Sequence, residues 1–332
     1  MGSAHEWVRR WWAGSAGVGF RAADLAALPL EMMFRLLVGL RALAYRHGWL
    51  RSTGAEIPVV SVGNLSVGGT GKTPVAAFLA RLLLQRGRVP GIVLRGYGED
   101  ELALHRRWLP DIPVVAHRDR REGVRQAARA GADVAILDDG FQHMRLLRDV
   151  DLVLISAEQL RAVQKGHLLP RGPLREPLAA LGRASAAVLT ARTADTGELR
   201  SRIRQTAPDL PIVELRLSGG AWIDLTGRPA GAPTAAAVAV ASIARPEDFE
   251  RMAEASGVEI TDRRWFPDHH AYTDAEISAM ERWAAGRPLL TTEKDAVKLA
   301  GRTGADWRVL PLRVDVQQGR DVLEALLTKV AR

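Results

Sequence analysis

Residues 61 to 74 read Ser-Val-Gly-Asn-Leu-Ser-Val-Gly-Gly-Thr-Gly-Lys-Thr-Pro, between an apolar stretch at Ile57 to Val62 and a second one carrying Phe78, Leu79, Leu82 and Leu83. A glycine-rich loop between a strand and a helix is suited to bind phosphate. Its backbone N–H groups can converge on anionic oxygens, and the helix N-terminus adds positive dipole. The candidate cradle comprises Asn64, Ser66, Val67, Gly68, Gly69, Thr70, Gly71, Lys72, Thr73 and Pro74. Lys72 is placed to reach terminal phosphates and Thr73 to offer its hydroxyl to Mg2+. Ser66 stands where the strict spacing asks for glycine, whereas Gly68, Gly69 and Gly71 are more than it requires. Pro74 agrees, because proline is tolerated in a first helical turn. The expected ligand is a nucleoside triphosphate with Mg2+.

Three further clusters carry titratable groups. An apolar run at Val134 to Leu137 ends in Asp138, whose carboxylate is suited to hold Mg2+ directly or through water. Asp139, Gln142 and His143 follow on a tight turn and can also face phosphate. Arg95-Gly96-Tyr97-Gly98-Glu99-Asp100-Glu101 follows the strand next after the loop's helix, and one of its carboxylates is a candidate base toward an acceptor hydroxyl. Phe266-Pro267-Asp268-His269-His270-Ala271-Tyr272 sets an imidazole beside a carboxylate, a standard way to orient a proton acceptor. Thr292-Glu293-Lys294-Asp295 lacks the residue between Lys and Asp that a GTPase base-recognition motif needs, so it reads as the start of a helix.

The elements that must position these groups alternate regularly. After the loop's helix come apolar strands at Val89 to Leu94, Pro113 to Ala116, Val134 to Leu137, Asp151 to Ile155 and Ala186 to Thr190, with a helix from Arg121 to Ala130. Continuously apolar strands interleaved with helices imply a parallel sheet covered on both faces, with ligands at the carboxyl ends of its strands. Around 217–234 Gly, Pro and polar turns mark a linker. A second alternation over 235–332 places helices at Pro246 to Ala255, Asp274 to Ala284 and Glu293 to Leu299 between short strands. The expected organisation is therefore a region 1–50, a phosphate-loop core 51–216, a linker 217–234 and a smaller α/β domain 235–332.

With 332 residues, 47% hydrophobic and 25% charged, the composition is that of a globular protein large enough for two domains. The absence of cysteine excludes disulfides and thiolate metal sites and suits a reducing compartment. A net charge of +8 calls for an anionic partner, but the arginines are dispersed and no basic tail points to nucleic acid. The first fifty residues hold Trp7, Trp11, Trp12 and Trp49, four of the nine tryptophans. From Ala22 to Arg46 a helix, or two joined near Pro29, would gather Asp24, Glu31, Arg35 and Arg46 on one stripe of an otherwise apolar surface. Charges interrupt it too often for a membrane span, which needs about twenty apolar residues. An interfacial anchor is the preferred reading, and a helix packed on the protein's own core is the alternative.

Taken in order, these segments resemble the tetraacyldisaccharide 4'-kinase family. The likeness extends from the Trp-rich N-terminus through Val62 to Pro74, Arg95-Gly96-Tyr97-Gly98, Asp138-Asp139-Gly140-Phe141-Gln142-His143, Leu169-Pro170-Arg171-Gly172-Pro173-Leu174-Arg175-Glu176-Pro177, Phe266-Pro267-Asp268-His269 and Thr291 to Ala296. Serine at position 66 is usual in that family. The resemblance implies a P-loop NTPase-type parallel sheet with a second, smaller α/β domain and an N-terminal amphipathic membrane-associating helix. It further implies transfer of the ATP γ-phosphoryl group, with Mg2+, to the 4'-hydroxyl of the lipid A disaccharide precursor. Lys72 would act on the phosphates, with the metal on Thr73 and Asp138 or Asp139. The family's base is the Asp of a Gly-Asp-Glu-Pro motif, assisted by the histidine of Pro-Asp-His. His269 matches directly, and Asp100 is the best match for the base, although this chain lacks that motif's Gly and Pro; Glu99 and Glu101 remain alternatives. Arg95, Tyr97, Arg120, Gln142, His143 and Glu176 fall at supporting positions. The implied setting is a peripheral monomer on the cytoplasmic face of the bacterial inner membrane, attached through residues 1–50. Rival readings are a membrane-recruited P-loop ATPase switch and a soluble small-metabolite kinase.

Overall fold

The structure, a computed structural model, describes residues 4–13, 17–96 and 98–331. Its elements are, in order, α1 (Ala4–Ala13), α2 (Val18–Arg46), β1 (Val59–Asn64), α3 (Lys72–Leu84), β2 (Pro90–Leu94), α4 (Glu99–Trp108), β3 (Val114–Ala116), α5 (Arg120–Arg129), β4 (Val134–Asp138) and β5 (Val150–Ser156). There follow α6 (Leu160–Lys165), β6 (Ala186–Ala191), α7 (Gly197–Thr206), β7 (Ile212–Gly219), β8 (Ala237–Ala241), α8 (Pro246–Ala255), β9 (Ile260–Trp265) and α9 (Asp274–Ala284). The chain ends with β10 (Leu289–Thr292), α10 (Glu293–Leu299), β11 (Trp307–Leu310), β12 (Leu312–Gln318) and α11 (Arg320–Val330). The acidic run at 99–101 forms the first turn of α4, a helix absent from the elements expected from sequence. Helix α7, strands β7 and β12 and helix α11 are likewise absent from that expectation, although Leu323, Leu326, Leu327 and Val330 have helical spacing and Val213, Leu215 and Leu217 alternate.

Two compact units share the chain. The first comprises 1–95, 112–215 and 316–332, and the second comprises 96–111 and 216–315. The unit boundaries at 215 and 315 fall inside β7 and β12. An eight-stranded sheet runs in the order β12-β7-β6-β5-β1-β4-β2-β3. Strand β1 lies parallel between β4 and β5, with Val62 opposite Asp138 and Gly63 opposite Val153. Burial explains the composition: every residue of β1, β2, β4 and β5 is buried, as expected when helices cover both faces of a parallel sheet. Gly63 allows a close approach, because a Cβ there would overlap Phe141. The register between β1 and β4 brings the end of the phosphate loop's strand and Asp138 to the same edge, at a point where the chain leaves β1 in one direction and β5 lies in the other.

The second unit is built on the parallel sheet β11-β10-β8-β9. Alternate residues of β8 feed opposite faces: Val238 and Val240 pack with Tyr272, Ile277 and Met280, while Ala237, Ala239 and Ala241 pack with Phe249 and Trp222. Helix α9 begins at a capping box in which Thr273 and Glu276 exchange hydrogen bonds. Thr292 caps α10 by accepting from the Asp295 amide, so the Thr-Glu-Lys-Asp segment does start a helix.

Helix α2 is continuous through Pro29. Of the expected polar stripe, the two acidic residues face the protein and Arg35 and Arg46 are exposed: Glu31 is buried and accepts from Arg35, the Leu168 amide and Arg171, and Asp24 pairs with Arg171 at 2.6 Å. The apolar side is left outward. Leu25, Met32, Met33, Leu36, Leu37 and Leu40 are each more than half exposed, as is Trp49 beyond the helix end. No helix among the described residues is long and apolar enough to cross a membrane.

Candidate active site

In the first unit the glycine-rich loop is braced before any ligand is considered. The Val67 amide donates to Pro173 O at 2.8 Å, Arg175 N donates to Leu65 O at 2.6 Å, and Ser66 Oγ donates to Gln159 Oε1 at 2.5 Å. Asn64 Nδ2 donates to Thr70 Oγ1 at 2.9 Å, and Thr190 Oγ1 donates to Thr70 O at 2.9 Å. Gly68 and Gly71 sit at φ 101° and 88°, in the left-handed region where a side chain would be strained. Among the described residues no carbonyl accepts from the amides of Gly69, Gly71, Lys72 or Thr73. Four donors at the start of α3 are thus free for an anion, together with the helix dipole.

Asp138 closes β4 and is buried, and Arg120 donates to its carbonyl at 3.2 Å. Asp139 adopts φ 62°, a strained conformation for a residue with a Cβ. Its carboxylate pairs with Lys72 at 3.6 Å and with both terminal nitrogens of Arg175, at 2.9 and 3.1 Å. Burial opposes its ionisation, but the Lys72 charge and the Arg175 hydrogen bonds outweigh it and hold the carboxyl well below its usual range. Arg175 also bonds Asn64 Oδ1, so one guanidinium ties the loop to the aspartate turn. No group of three or more His, Asp or Glu among the described residues could hold a metal alone. Mg2+ typically takes one or two carboxylates and completes its shell with phosphate and water. Asp138 stands opposite Val62 of the loop's strand in register, with Asp139 next to it.

The supporting positions divide. Gln142 donates to Asn64 O at 2.8 Å and so steadies the loop. Arg120 is buried against the carbonyls of His117 and Asp138. His143 is pushed down to about 4, by burial first and then by the Arg120 charge, so it is neutral near pH 7. Glu176 is buried in an ion pair with Arg183 at 2.8 Å. Arg95 is exposed at the end of β2, and Tyr97 lies outside the described residues.

The second unit gathers a separate constellation. Asp100, in the first turn of α4, has both carboxylate oxygens 3.0 Å from His269 Nδ1. His269 therefore takes as its partner a carboxylate 169 positions away; the adjacent Asp268 is 3.8 Å from Nε2. Lys294 and Lys298 of α10 approach Asp100 at 3.8 and 3.4 Å. Burial works against the charged carboxylate, but the His269 hydrogen bond and the two lysines prevail, holding Asp100 well below its usual range. The Asp100 hydrogen bond in turn raises His269, with burial and the Lys294 charge opposing it. Like Asp139, His269 has a positive φ, 61°. Gly98 makes room for the pair, since a Cβ there would lie 2.5 Å from Asp100 Oδ1 and 3.1 Å from His269 Nδ1. Glu99 is exposed on the outer side of the same turn.

Sequence reasoning gave no role to Arg175, Gln159, Lys294, Lys298 or Asp295. Arg175 lay in a quoted motif with nothing to mark its partner, and Lys294 and Asp295 fell in a helix start within the Thr291 to Ala296 stretch of the family likeness, with no role of their own. Only proximity across long stretches of chain marks them.

An eight-stranded sheet with β1 inside it, a glycine-rich loop running into α3 and an aspartate closing the neighbouring strand define a phosphate-loop NTPase-type fold. Residues 23–104 and 100–332 match the tetraacyldisaccharide-1-P 4'-kinase family. A tetraacyldisaccharide 4'-kinase of Anaeromyxobacter dehalogenans is 39% identical, covering 96% of this chain and 93% of its own, and one of Halorhodospira halophila is 35% identical, covering 92% and 93%. The crystal structure of LpxK from Aquifex aeolicus in complex with ATP superposes with a TM-score of 0.75 at 27% identity, covering 93% of this chain and all of that one. This chain belongs to the tetraacyldisaccharide 4'-kinase family.

Proposed function

We propose that this protein transfers the γ-phosphoryl group of ATP to the 4'-hydroxyl of a tetraacyldisaccharide 1-phosphate, the lipid A precursor, at a membrane surface. The observation that carries the reading is the pairing of Asp100 with His269 in a protein of this family whose loop also leaves four amides free at a helix start. The loop amides and Lys72 bind the donor's phosphates, and Arg175 holds Asp139 in place. Mg2+ held by Thr73 and by Asp138 or Asp139 would neutralise charge on the phosphates when bound. Asp100, ionised and hydrogen-bonded by His269, accepts the proton of the 4'-hydroxyl as that oxygen attacks phosphorus. The bond from phosphorus to the bridging oxygen breaks, ADP leaves, and the sugar carries a new 4'-phosphate. Glu176 and Arg120 support the loop and the aspartate turn.

The outward apolar side of α2 and Trp49 form the membrane contact, because a soluble surface seldom leaves so many large apolar side chains together. With Asp24 and Glu31 bonded to the 167–171 segment, lipid is the environment that suits the other side. The protein works as a monomer, peripheral on the cytoplasmic face of the inner membrane.

The deciding experiment incubates the chain with γ-labelled ATP, Mg2+ and the disaccharide lipid in mixed micelles. Label should pass to the lipid, and Lys72→Ala should abolish the transfer. Hydrolysis without lipid product would favour an ATPase switch, and transfer to a soluble sugar in preference to the lipid would favour a metabolite kinase.

A further inference from the structure

We infer that Lys294 and Lys298 of α10 are positioning residues for the base: Lys294 fixes His269 as the Nδ1–H tautomer, and Lys298, clamped by Asp295, orients the Asp100 carboxylate. The inference rests on Asp100 being the base proposed above.

Lys294 Nζ lies 3.1 Å from His269 Nε2 and 2.8 Å from Asp268 Oδ1. An ammonium offers donors and no acceptor, so Nε2 must present its lone pair. The single imidazole proton is then on Nδ1, pointing at Asp100. A second proton on Nε2 would set donor against donor. Lysine thus enforces the tautomer from outside the pair, the role that a carboxylate or carbonyl plays for other catalytic histidines.

Lys298 is held more firmly still. Its Nζ donates to Ser242 Oγ at 2.7 Å and to Asp295 Oδ1 at 3.3 Å, and stands 5.8 Å from the Tyr272 ring centre. Asp295 is fully buried and also accepts from Ser242 N and Oγ, Tyr272 OH and Thr292 Oγ1. A carboxylate with that many donors exists to hold something in place, and what it holds is an ammonium 3.4 Å from Asp100. The spacing of four residues puts both lysines on one side of α10, so a single helix presents both charges. The charged groups that meet the pair are Lys294 and Lys298 on α10, the latter held by Asp295, and Asp268 beside His269, while from α4 the Glu101 amide donates to Asp100 Oδ1 at 3.0 Å. His270 is engaged by Glu276.

The sign of the effect follows. Both lysines favour ionised Asp100, and Lys294 disfavours a doubly protonated His269. Removing Lys294 lets both groups hold protons to higher pH, so the acid limb of kcat/KM moves upward. Lys294→Met should lower kcat roughly 10–100-fold, leave KM for ATP within about threefold and raise the acid limb by about half a unit or more. Lys294→Arg should recover most of the limb's position, and Lys298→Met should shift it in the same direction. Long-range proton–nitrogen spectra of histidine-15N protein, with His269 assigned by His269→Gln, should show the Nδ1–H form in the unaltered chain and its loss in Lys294→Met. The spectrum of the unaltered chain keeps the test alive if a variant does not fold. An Nε2–H tautomer there, an unmoved acid limb in Lys294→Met, or a raised KM for either substrate with the limb in place overturns the inference. Asp100→Asn run alongside separates the two levels: if it retains full turnover the base assignment itself fails, and if it is inactive while the lysine variants are normal only the positioning role fails.

Discussion

Among the described residues, two of the three non-glycine residues with positive φ are Asp139 and His269, and both are candidate site residues. Strain of this kind costs about 1–3 kcal/mol and persists where surrounding contacts over-determine it. Asp139 has Lys72 and Arg175 to hold it, and His269 has Asp100 and Lys294. If Asp100 takes the acceptor's proton, Asp100→Asn should lower kcat by about 10²–10⁴ while leaving KM for ATP within about threefold, measured by initial rates over a range of ATP. An unchanged kcat would move the base to Glu99 or Glu101. His143 supplies a stability test. Its folded value is pushed down to about 4, below that of the unfolded chain, so the unfolded state takes up the proton first as the solution is acidified. The stability associated with a neutral His143 is therefore full above about pH 6.5 and is lost as pH falls toward 4. Urea unfolding at pH 7 and pH 4.5 should show His143→Gln losing about 2 kcal/mol less than the unaltered chain over that interval. Equal losses would mean that His143 is as free to charge when folded as when unfolded.

At the scale of elements, α2 leaves a row of large apolar side chains exposed. In a water-soluble protein the apolar side of such a helix packs inward and the charges face out. Here Glu31 is buried with Ala27 and tied to the 168–171 segment, and the leucines are outside. The ion pairs of Asp24 and Glu31 with Arg171 fasten that side of the helix, together with the inward Ala27. Replacing Leu36 and Leu40 by Glu should weaken binding to phospholipid vesicles by about tenfold for each side chain, since each loses roughly 1.5 kcal/mol or more of apolar burial. Turnover on a water-soluble, short-chain acceptor should be nearly unaffected, because neither residue contacts the loop or the Asp100 pair. Sedimentation with vesicles gives the first readout and a rate assay the second; undiminished sedimentation would return α2 to the role of a packing helix.

For the molecule as a whole the relevant quantity is the net charge of +8. Charge of this size acts over roughly a Debye length, about 8 Å at physiological salt, and draws the protein toward an anionic surface without specifying what it meets there. Binding to vesicles containing acidic phospholipid should therefore exceed binding to zwitterionic vesicles and should fall as salt rises from 50 to 500 mM, while the residue that survives high salt reports the apolar contact of α2. Salt-independent binding, equal on both vesicle types, would leave α2 as the whole of the attachment.

Much of this architecture was legible in the sequence because it depends on short-range order. The glycine loop, the apolar strands and the caps at Thr273 and Thr292 are each written within about ten residues, and local backbone chemistry is enough to form them. Asp138 could be placed beside the loop because an apolar strand ending in aspartate is itself a local pattern. The partners could not be read in this way. Nothing near Asp139 names Arg175, nothing near Lys298 says that its neighbour Asp295 is the buried anchor, and Asp100 was joined to His269 by the family resemblance and by no local pattern. Residues 96–111 join a unit made otherwise of 216–315, and the chain must close that distance before the Asp100 pair exists. Sequence alone determined the phosphate loop, the α/β pattern and the family, since each is carried by side chains at fixed short spacing. Which carboxylate is held ionised, by which cations, and which side of α2 meets water were decided by packing, because charge interactions depend on distance in space and the chain's own order does not record it.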